Sequence, residues 1–438
     1  MFPSRLFVPL CLFTLGTQSS STTSTNISSI VPLRATAYGS IFDATVTFGD
    51  QIFQLLLDTG SADTWVLGDG WRCLPPHASP YSNDTLPQAN CTFGHPYYHT
   101  SSTLTPVEDW WLGVQYGDGS VYGTVGREDI TLGSIRIPQQ TIGIVNISAM
   151  PGTDSVNVGI LGIGYPIISM IHPNSYPKNE TLLANTVRYP SIFEGLIEAG
   201  MAPFVSLALE RTPLGAEFGF GGRLGLGEML TVSHGPFVTV PVEITEALPE
   251  EITNGVRQIS EWTTTVQVAS WANNNTYRTP FQVVVDIGNP INILPYDLAD
   301  AVNGAFVPSA STAEFDDLGG PAVSCNATAP HFSLTIANHT FSIDSRDMIR
   351  QHASGVCYST VASAPPPGDG LTLMFLGDAF LKNVVAVFDM GQNEMKFAQR
   401  QISSTTASTA SPASSTGAGH FSPVAYTGCA GRPRPFWM

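Results

Sequence analysis

The sequence predicts a mostly β protein of two related lobes with short helices. Three observations carry that reading. The run Leu55-Leu56-Leu57-Asp58-Thr59-Gly60-Ser61 has a later partner in Val283-Val284-Val285-Asp286-Ile287-Gly288-Asn289. β-type runs punctuated by Gly, Asn or Pro recur between and beyond them. At 438 residues the chain is too long for one ordinary core and fits two. Three apolar residues in a row read as a buried strand, and the Gly after each Asp lets backbone come close. A lone Asp-x-Gly is a common turn. Two copies closing similar strands point to a duplicated lobe and to two carboxylates at one site.

The elements follow in order. Ala35 to Thr47 reads as a strand, Gly49-Asp50 as a turn and Phe53 to Asp58 as the returning strand. Further strands are expected at Ile130 to Ile137, Val205 to Leu209, Phe237 to Ile244, Trp262 to Val268, Phe332 to Ile336 and Val384 to Phe388. Pro190 to Ile197 has helical spacing, with a Pro suited to the first turn and Gly200 beyond its end. Tyr296 to Val302 is a second helix, between Pro295 and Gly304. The repeat extends past the Asp motifs. Ile160-Leu161-Gly162 follows the first and Phe375-Leu376-Gly377 the second. The lobe boundary is expected between Arg223 and Val240, giving lobes at 35–230 and 231–400.

Acidic residues outnumber basic ones 35 to 18, for a net charge of −17, yet only 12% of residues are charged. The chain is poor in Lys and Arg rather than crowded with acids. That composition argues against nucleic acid and anionic membrane as partners. Solubility and adaptation to acid both account for the charge.

The N-terminus has signal-peptide form: Arg5, the apolar run Leu6 to Leu15, then small or polar residues, with residues 1–19 as the peptide and 20–34 as a short linker or remnant prosegment. The apolar run is too short to span a bilayer. Eight acceptor sites for N-glycosylation, at Asn26, Asn83, Asn90, Asn146, Asn179, Asn274, Asn326 and Asn338, agree with export. Of the six Cys, Cys11 would leave with the signal peptide, Cys73 with Cys91 and Cys325 with Cys357 are the natural local pairs, and Cys429 is left odd. The tail 401–438 is rich in Ser, Thr and Ala and is expected to be disordered. It resembles the stalk before a lipid anchor, but it ends in Arg432-Pro433-Arg434-Pro435-Phe436-Trp437-Met438 rather than in a hydrophobic tail.

From Ala35 to Arg400 the chain resembles the pepsin-like aspartic proteases. Asp58-Thr59-Gly60-Ser61-Ala62-Asp63-Thr64-Trp65-Val66 is similar to that family's first catalytic motif, and Asp286-Ile287-Gly288-Asn289 stands where the second belongs. Tyr116-Gly117-Asp118-Gly119-Ser120 resembles the tip of its flap, a hairpin closing over the cleft. Tyr189 to Gly200, Phe204 to Leu209 and Phe218 to Gly222 match the route out of the first lobe, and Phe375 to Asp378 and Val387 to Asp389 the C-terminal strands. The resemblance implies a bilobal fold of two β-barrel-like lobes, with Asp58 and Asp286 as the catalytic pair. It implies Ser61 bonding the Asp58 carboxylate, and Thr59 bonding across to the other lobe. It implies Gly60, Gly288 and Asn289 as further support, Tyr116 packing over substrate, and Trp65 steadying the Tyr116 hydroxyl. Cys325 with Cys357 matches the family's second-lobe disulfide. The implied activity is peptide hydrolysis in acid by water set between two carboxylates sharing a proton, with no cofactor and no metal.

Four departures qualify the resemblance. Ile287 stands where a hydroxyl residue normally donates across the pair, so half of a symmetric buttress should be missing. Asn289 replaces a small hydroxyl residue, and Val158-Gly159 stands where Asp-Gly is common. The segment Ser20 to Arg34 has no Lys, unlike a basic prosegment that shields the pair.

Other chemistries find no motif. The nine His form no His-Glu-x-x-His, there is no Cys-x-x-Cys, and no Gly-x-Ser-x-Gly elbow occurs. Gly159 to Gly164 reads as a strand core rather than a nucleotide loop, and Asp63 and Asp118 read as solvated turn residues. The expected protein is a secreted, monomeric endopeptidase with a peptide substrate in its interlobe cleft. The rival is a pepsin-fold binding or cell-wall protein with weakened catalysis, which Ile287 favours and the two Asp oppose.

Overall fold

A computed structural model describes residues 27–401, apart from 153, 175–181, 183–184, 214, 312–319 and 365–371. The expected signal peptide, the sequons at Asn26 and Asn179, and the tail beyond 401 lie outside the described residues.

Each half is built around the same knot of strands. In the first, Ile41–Phe48 turns at Gly49, whose φ is +59°, and returns antiparallel as Gln51–Asp58. Gln51–Asp58 then lies parallel to Gly159–Gly162, with Asp58 beside Gly162, and Gly159–Gly162 pairs antiparallel with Trp65–Cys73. In the second half Phe281–Val285 lies parallel to Phe375–Leu376, which pairs antiparallel with Asn292–Leu294. The apolar-apolar-Gly runs noted in the sequence are thus the strands beside each Asp. Both faces of these parallel pairs are covered, which accounts for unbroken apolar runs instead of alternation.

A joint sheet ties the halves together. Val238–Pro241, Glu394–Gln399, Val384–Asp389, Phe204–Leu209, Gly219–Leu226 and Ser29–Thr36 follow one another in space as neighbours. The last strands of the chain therefore pair with Phe204–Leu209 of the first half rather than closing the second half on itself. Trp262, fully buried, packs against Tyr165 of the first half and Phe388 of the second. Arg211 forms an ion pair with Asp347 across the same boundary.

Several elements differ from their sequence-based bounds. Ser29–Thr36 is a strand paired with Gly219–Leu226, so part of the expected linker 20–34 belongs to the sheet. The stretch from Ala35 is interrupted by a 3-10 turn at Ala37–Gly39. Ile130 to Ile137 is two strands, Gly119–Leu132 and Ile135–Ala149, joined at Gly133 with φ +60°. A turn of only two residues is easily hidden inside an apolar run. The helices are Ile192–Glu198, capped by the Ser191 hydroxyl accepting the Glu194 N–H, and Tyr296–Gly304, with a short third at Asp378–Leu381. Disulfides join Cys73 to Cys91 and Cys325 to Cys357.

Candidate active site

Asp58 and Asp286 end their strands and meet where the halves face each other, 6% and 8% exposed. The Gly60 N–H donates to Asp58 Oδ1 at 2.8 Å and to Asp286 Oδ1 at 3.1 Å. One amide thus touches both carboxyls. The Gly288 N–H donates to Asp286 Oδ1 at 2.8 Å, and the Ser61 hydroxyl to Asp58 Oδ2 at 2.6 Å. The glycines are required by space. A Cβ on Gly60 would sit 2.8 Å from the Asp286 carboxyl carbon, and one on Gly288 would sit 2.6 Å from Asp58 Oδ1. Each half's glycine makes room for the other half's acid.

Burial raises both carboxyls above the usual range. At Asp58 the Ser61 hydroxyl and the amides of Gly60 and Ser61 pull the other way. At Asp286 the Asp58 charge adds to burial. The pair is built to hold one proton.

Beneath the pair, the Thr59 hydroxyl donates to the Val285 carbonyl at 2.9 Å and accepts the Ile287 N–H at 3.0 Å. This half of the buttress is complete. Ile287 has no hydroxyl to return, and its side chain, 1% exposed, joins the main apolar core instead. The Asn289 side-chain oxygen accepts the Ile291 N–H at 3.1 Å within its own loop, so the contact made by this residue supports the turn.

Thr105–Tyr116 and Gly119–Leu132 form the flap, with Tyr116 opposite Gly119. The Trp65 indole N–H donates to the Tyr116 hydroxyl at 2.9 Å, as the resemblance implied. Tyr116, Gly117 and Asp118 line the cleft with Asp58 and Asp286, and Asp118 is exposed.

Two acids were misread or missed. Asp63 is 1% exposed rather than solvated, and it accepts from the Ser169 hydroxyl, the Met170 N–H and the Tyr189 hydroxyl at 3.0, 2.7 and 2.6 Å. Its partners come from sequence-distant loops, which local pattern does not reveal. Glu261 was passed over altogether. It is 3% exposed and lines the cleft with Asp58 and Asp286. The only local signal was an acid immediately ahead of the apolar-alternating run from Trp262.

The six described sequons, at Asn83, Asn90, Asn146, Asn274, Asn326 and Asn338, are all exposed. Among the described residues no helix is long and apolar enough to cross a membrane.

Two carboxyls sharing a buried floor beside a β-hairpin that lines the same cleft define an aspartic-type protease. A model of the eukaryotic aspartyl protease family matches residues 42–400, and the chain belongs to that family. It is similar to a probable aspartic-type endopeptidase of Aspergillus fumigatus, 31% identical over 371 residues, 83% of this chain and 79% of that protein. Penicillopepsin-1 of Penicillium janthinellum is 26% identical over 357 residues, 81% of this chain and 93% of that protein. Among solved structures, the aspartic proteinase of Irpex lacteus matches with a TM-score of 0.64 at 19% identity, covering 87% of this chain and all of that one, which is a likeness of fold. The chain is an aspartic-type endopeptidase.

Proposed function

We propose that Asp58 and Asp286 hydrolyse peptide bonds in acid by sharing one proton across a bound water. The observation that carries this is the Gly60 amide donating to both carboxyls. We place the shared proton on Asp286, where burial and the Asp58 charge both raise the carboxyl, and take Asp58, whose Ser61 and amide donors favour the charged form, as the base. Asp58 then takes a proton from water as its oxygen attacks the substrate carbonyl, and Asp286 gives its proton to the carbonyl oxygen. In the second stage a carboxyl returns a proton to the departing nitrogen. Tyr116 and the flap cover an extended peptide, and Trp65 fixes the tyrosine hydroxyl. No cofactor enters any step. The exposed sequons and the two disulfides support a secreted glycoprotein acting as a monomer.

The test is Asp58→Asn and Asp286→Asn, each assayed on a peptide substrate at acid pH. Each is expected to lose activity by at least about a hundredfold while keeping the wild-type circular dichroism. Full activity in either variant refutes the assignment. Ile287 favours one other reading, a pepsin-fold binder, for which the wild type would hold peptides without turning them over.

A further inference from the structure

Glu261 has a position that the two-carboxylate mechanism does not use. Thr263–Trp271 runs antiparallel to Phe281–Val285 with Thr263 opposite Val284, and the Trp262 carbonyl accepts the Val285 N–H. One more step along that register carries Glu261 to Asp286. The carboxyl therefore stands beside the catalytic pair in the wall of the same cleft. Its Oε2 is sealed from solvent and has no hydrogen-bond partner among the described residues. A buried carboxyl without a partner is costly to keep, and a ligand group that supplies one recovers that cost.

The surroundings indicate which group. The described cleft lining holds the carboxyls of Asp58, Asp63, Asp118, Glu261 and Asp286, and among its described residues no Lys, Arg or His. Asp63 is consumed by its three donors, and Asp58 and Asp286 by their shared proton and the water. Of the remaining two, Asp118 is exposed at the flap tip, and Glu261 is the acid fixed in the cleft wall with a buried, unpartnered oxygen.

We infer that Glu261 is a specificity residue that binds the ammonium or guanidinium of a substrate Lys or Arg in the cleft wall beside Asp286. The inference rests on the endopeptidase reading and deepens it by naming a substrate class. Burial, then Asp286, then Asp58, raise the Glu261 carboxyl well above its usual range. In strong acid it is neutral and attracts a cation weakly; as pH rises it ionises and attracts it more. The charged or titratable groups facing it in the described lining are the acids named above and Tyr116, so no protein cation competes.

The experiment compares peptides of one sequence that carry Lys, Arg or norleucine at each position flanking the scissile bond. The readout is the ratio of kcat/KM, cation over norleucine, for wild type and Glu261→Gln. At the best position the wild-type ratio is expected to be at least about tenfold and to grow as pH rises. In Glu261→Gln it should fall to near unity. A wild-type ratio near unity at every position overturns the inference. So does a preference that survives in Glu261→Gln. The same pairs built on an uncleavable hydroxyethylene bond give a ratio of Kd values. If wild type cleaves nothing but the Kd ratio shows the Glu261-dependent preference, the endopeptidase reading fails and this inference stands. If cleavage occurs and both ratios are flat, the reverse holds.

Discussion

Thr59 contributes more through its single hydroxyl than its size suggests. That oxygen donates to the Val285 carbonyl and accepts the Ile287 N–H, so it satisfies two buried backbone groups of the opposite half directly beneath Asp286. Valine has nearly the same shape without the hydroxyl. Thr59→Val leaves an acceptor and a donor unpaired, each costing about 1–3 kcal/mol, so a total loss of about 2–6 kcal/mol is expected. Denaturant unfolding measures it, with Thr59→Ser as the control that keeps both bonds. A Val variant as stable as wild type would show that the tie across the halves is ornamental. The missing hydroxyl at Ile287 is a different matter. That side chain is packed in the core, so a Thr there would regain at most one hydrogen bond while giving up apolar volume. The site's geometry was legible at this scale wherever a motif is contiguous: Asp58 through Ser61 and Asp286 through Gly288 bring the two carboxyls and their donors together. Asn289 was not, because an amide can turn either way and only the loop geometry sends its oxygen to Ile291.

At the scale of elements, Asp63 is the joint between the loop after Asp58 and the strands behind the flap. It gathers Ser169 and Met170, which precede the strand Ile171–Pro173, and Tyr189, which precedes the helix Ile192–Glu198. Ile171–Pro173 in turn pairs with the flap strand Thr105–Tyr116. All three partners donate to the carboxyl. In Asp63→Asn, one carboxylate acceptor becomes an N–H group, so at least one donor loses its acceptor. A loss of about 1–3 kcal/mol is expected, read as a lower urea midpoint, together with a fall in kcat/KM from a less well-seated flap. Unchanged midpoint and unchanged kcat/KM would mean that the joint is not needed. The sequence suggests a solvated turn because the three donors that hold this acid lie 106, 107 and 126 residues away along the chain. The same limit hid Glu261, which only strand register brings to Asp286, and the membership of Val384–Asp389 in the first half's sheet. Local pattern reveals which residues form strands. It does not reveal which strand edges meet when several are equally apolar.

At the scale of the whole molecule the question is how the fold responds to pH. Burial raises the carboxyls of Asp43, Asp58, Asp63, Glu261, Asp286 and Asp378, whereas only Asp129 and Asp344 are lowered among the described carboxyls with a resolved shift. A raised carboxyl contributes stability that is fully present below its unfolded pKa and is lost as pH rises through its folded one. A lowered one, such as Asp344 at about 2, contributes above its unfolded pKa and loses that only in strong acid. The balance favours acid, and a net charge of −17 adds self-repulsion toward neutrality. The melting temperature is therefore expected to fall between about pH 4 and about pH 7.5. The dyad cannot test this cleanly, since changing it alters activity, but Asp43 can. It is fully buried away from the cleft, against Thr36, Asp154 and Asn157. The Thr36 hydroxyl lies 2.5 Å from Asp154 Oδ2 and 3.4 Å from Asp43 Oδ2 and has one proton to give. After burial, the Asp154 charge and a hydrogen bond with Asp154 raise Asp43 further, so the folded state keeps a proton here that the unfolded chain releases as pH rises. Asparagine imitates the protonated acid: its oxygen can still accept from Asn157 and its amide can donate to Asp154. Asp43→Asn should thus leave the melting temperature near pH 4 almost unchanged and raise it near pH 7.5, flattening the profile. A wild-type melting temperature that climbs with pH would contradict the whole account. A falling wild-type profile that Asp43→Asn leaves just as steep would locate the acid preference in the cleft carboxyls instead of this buried pair.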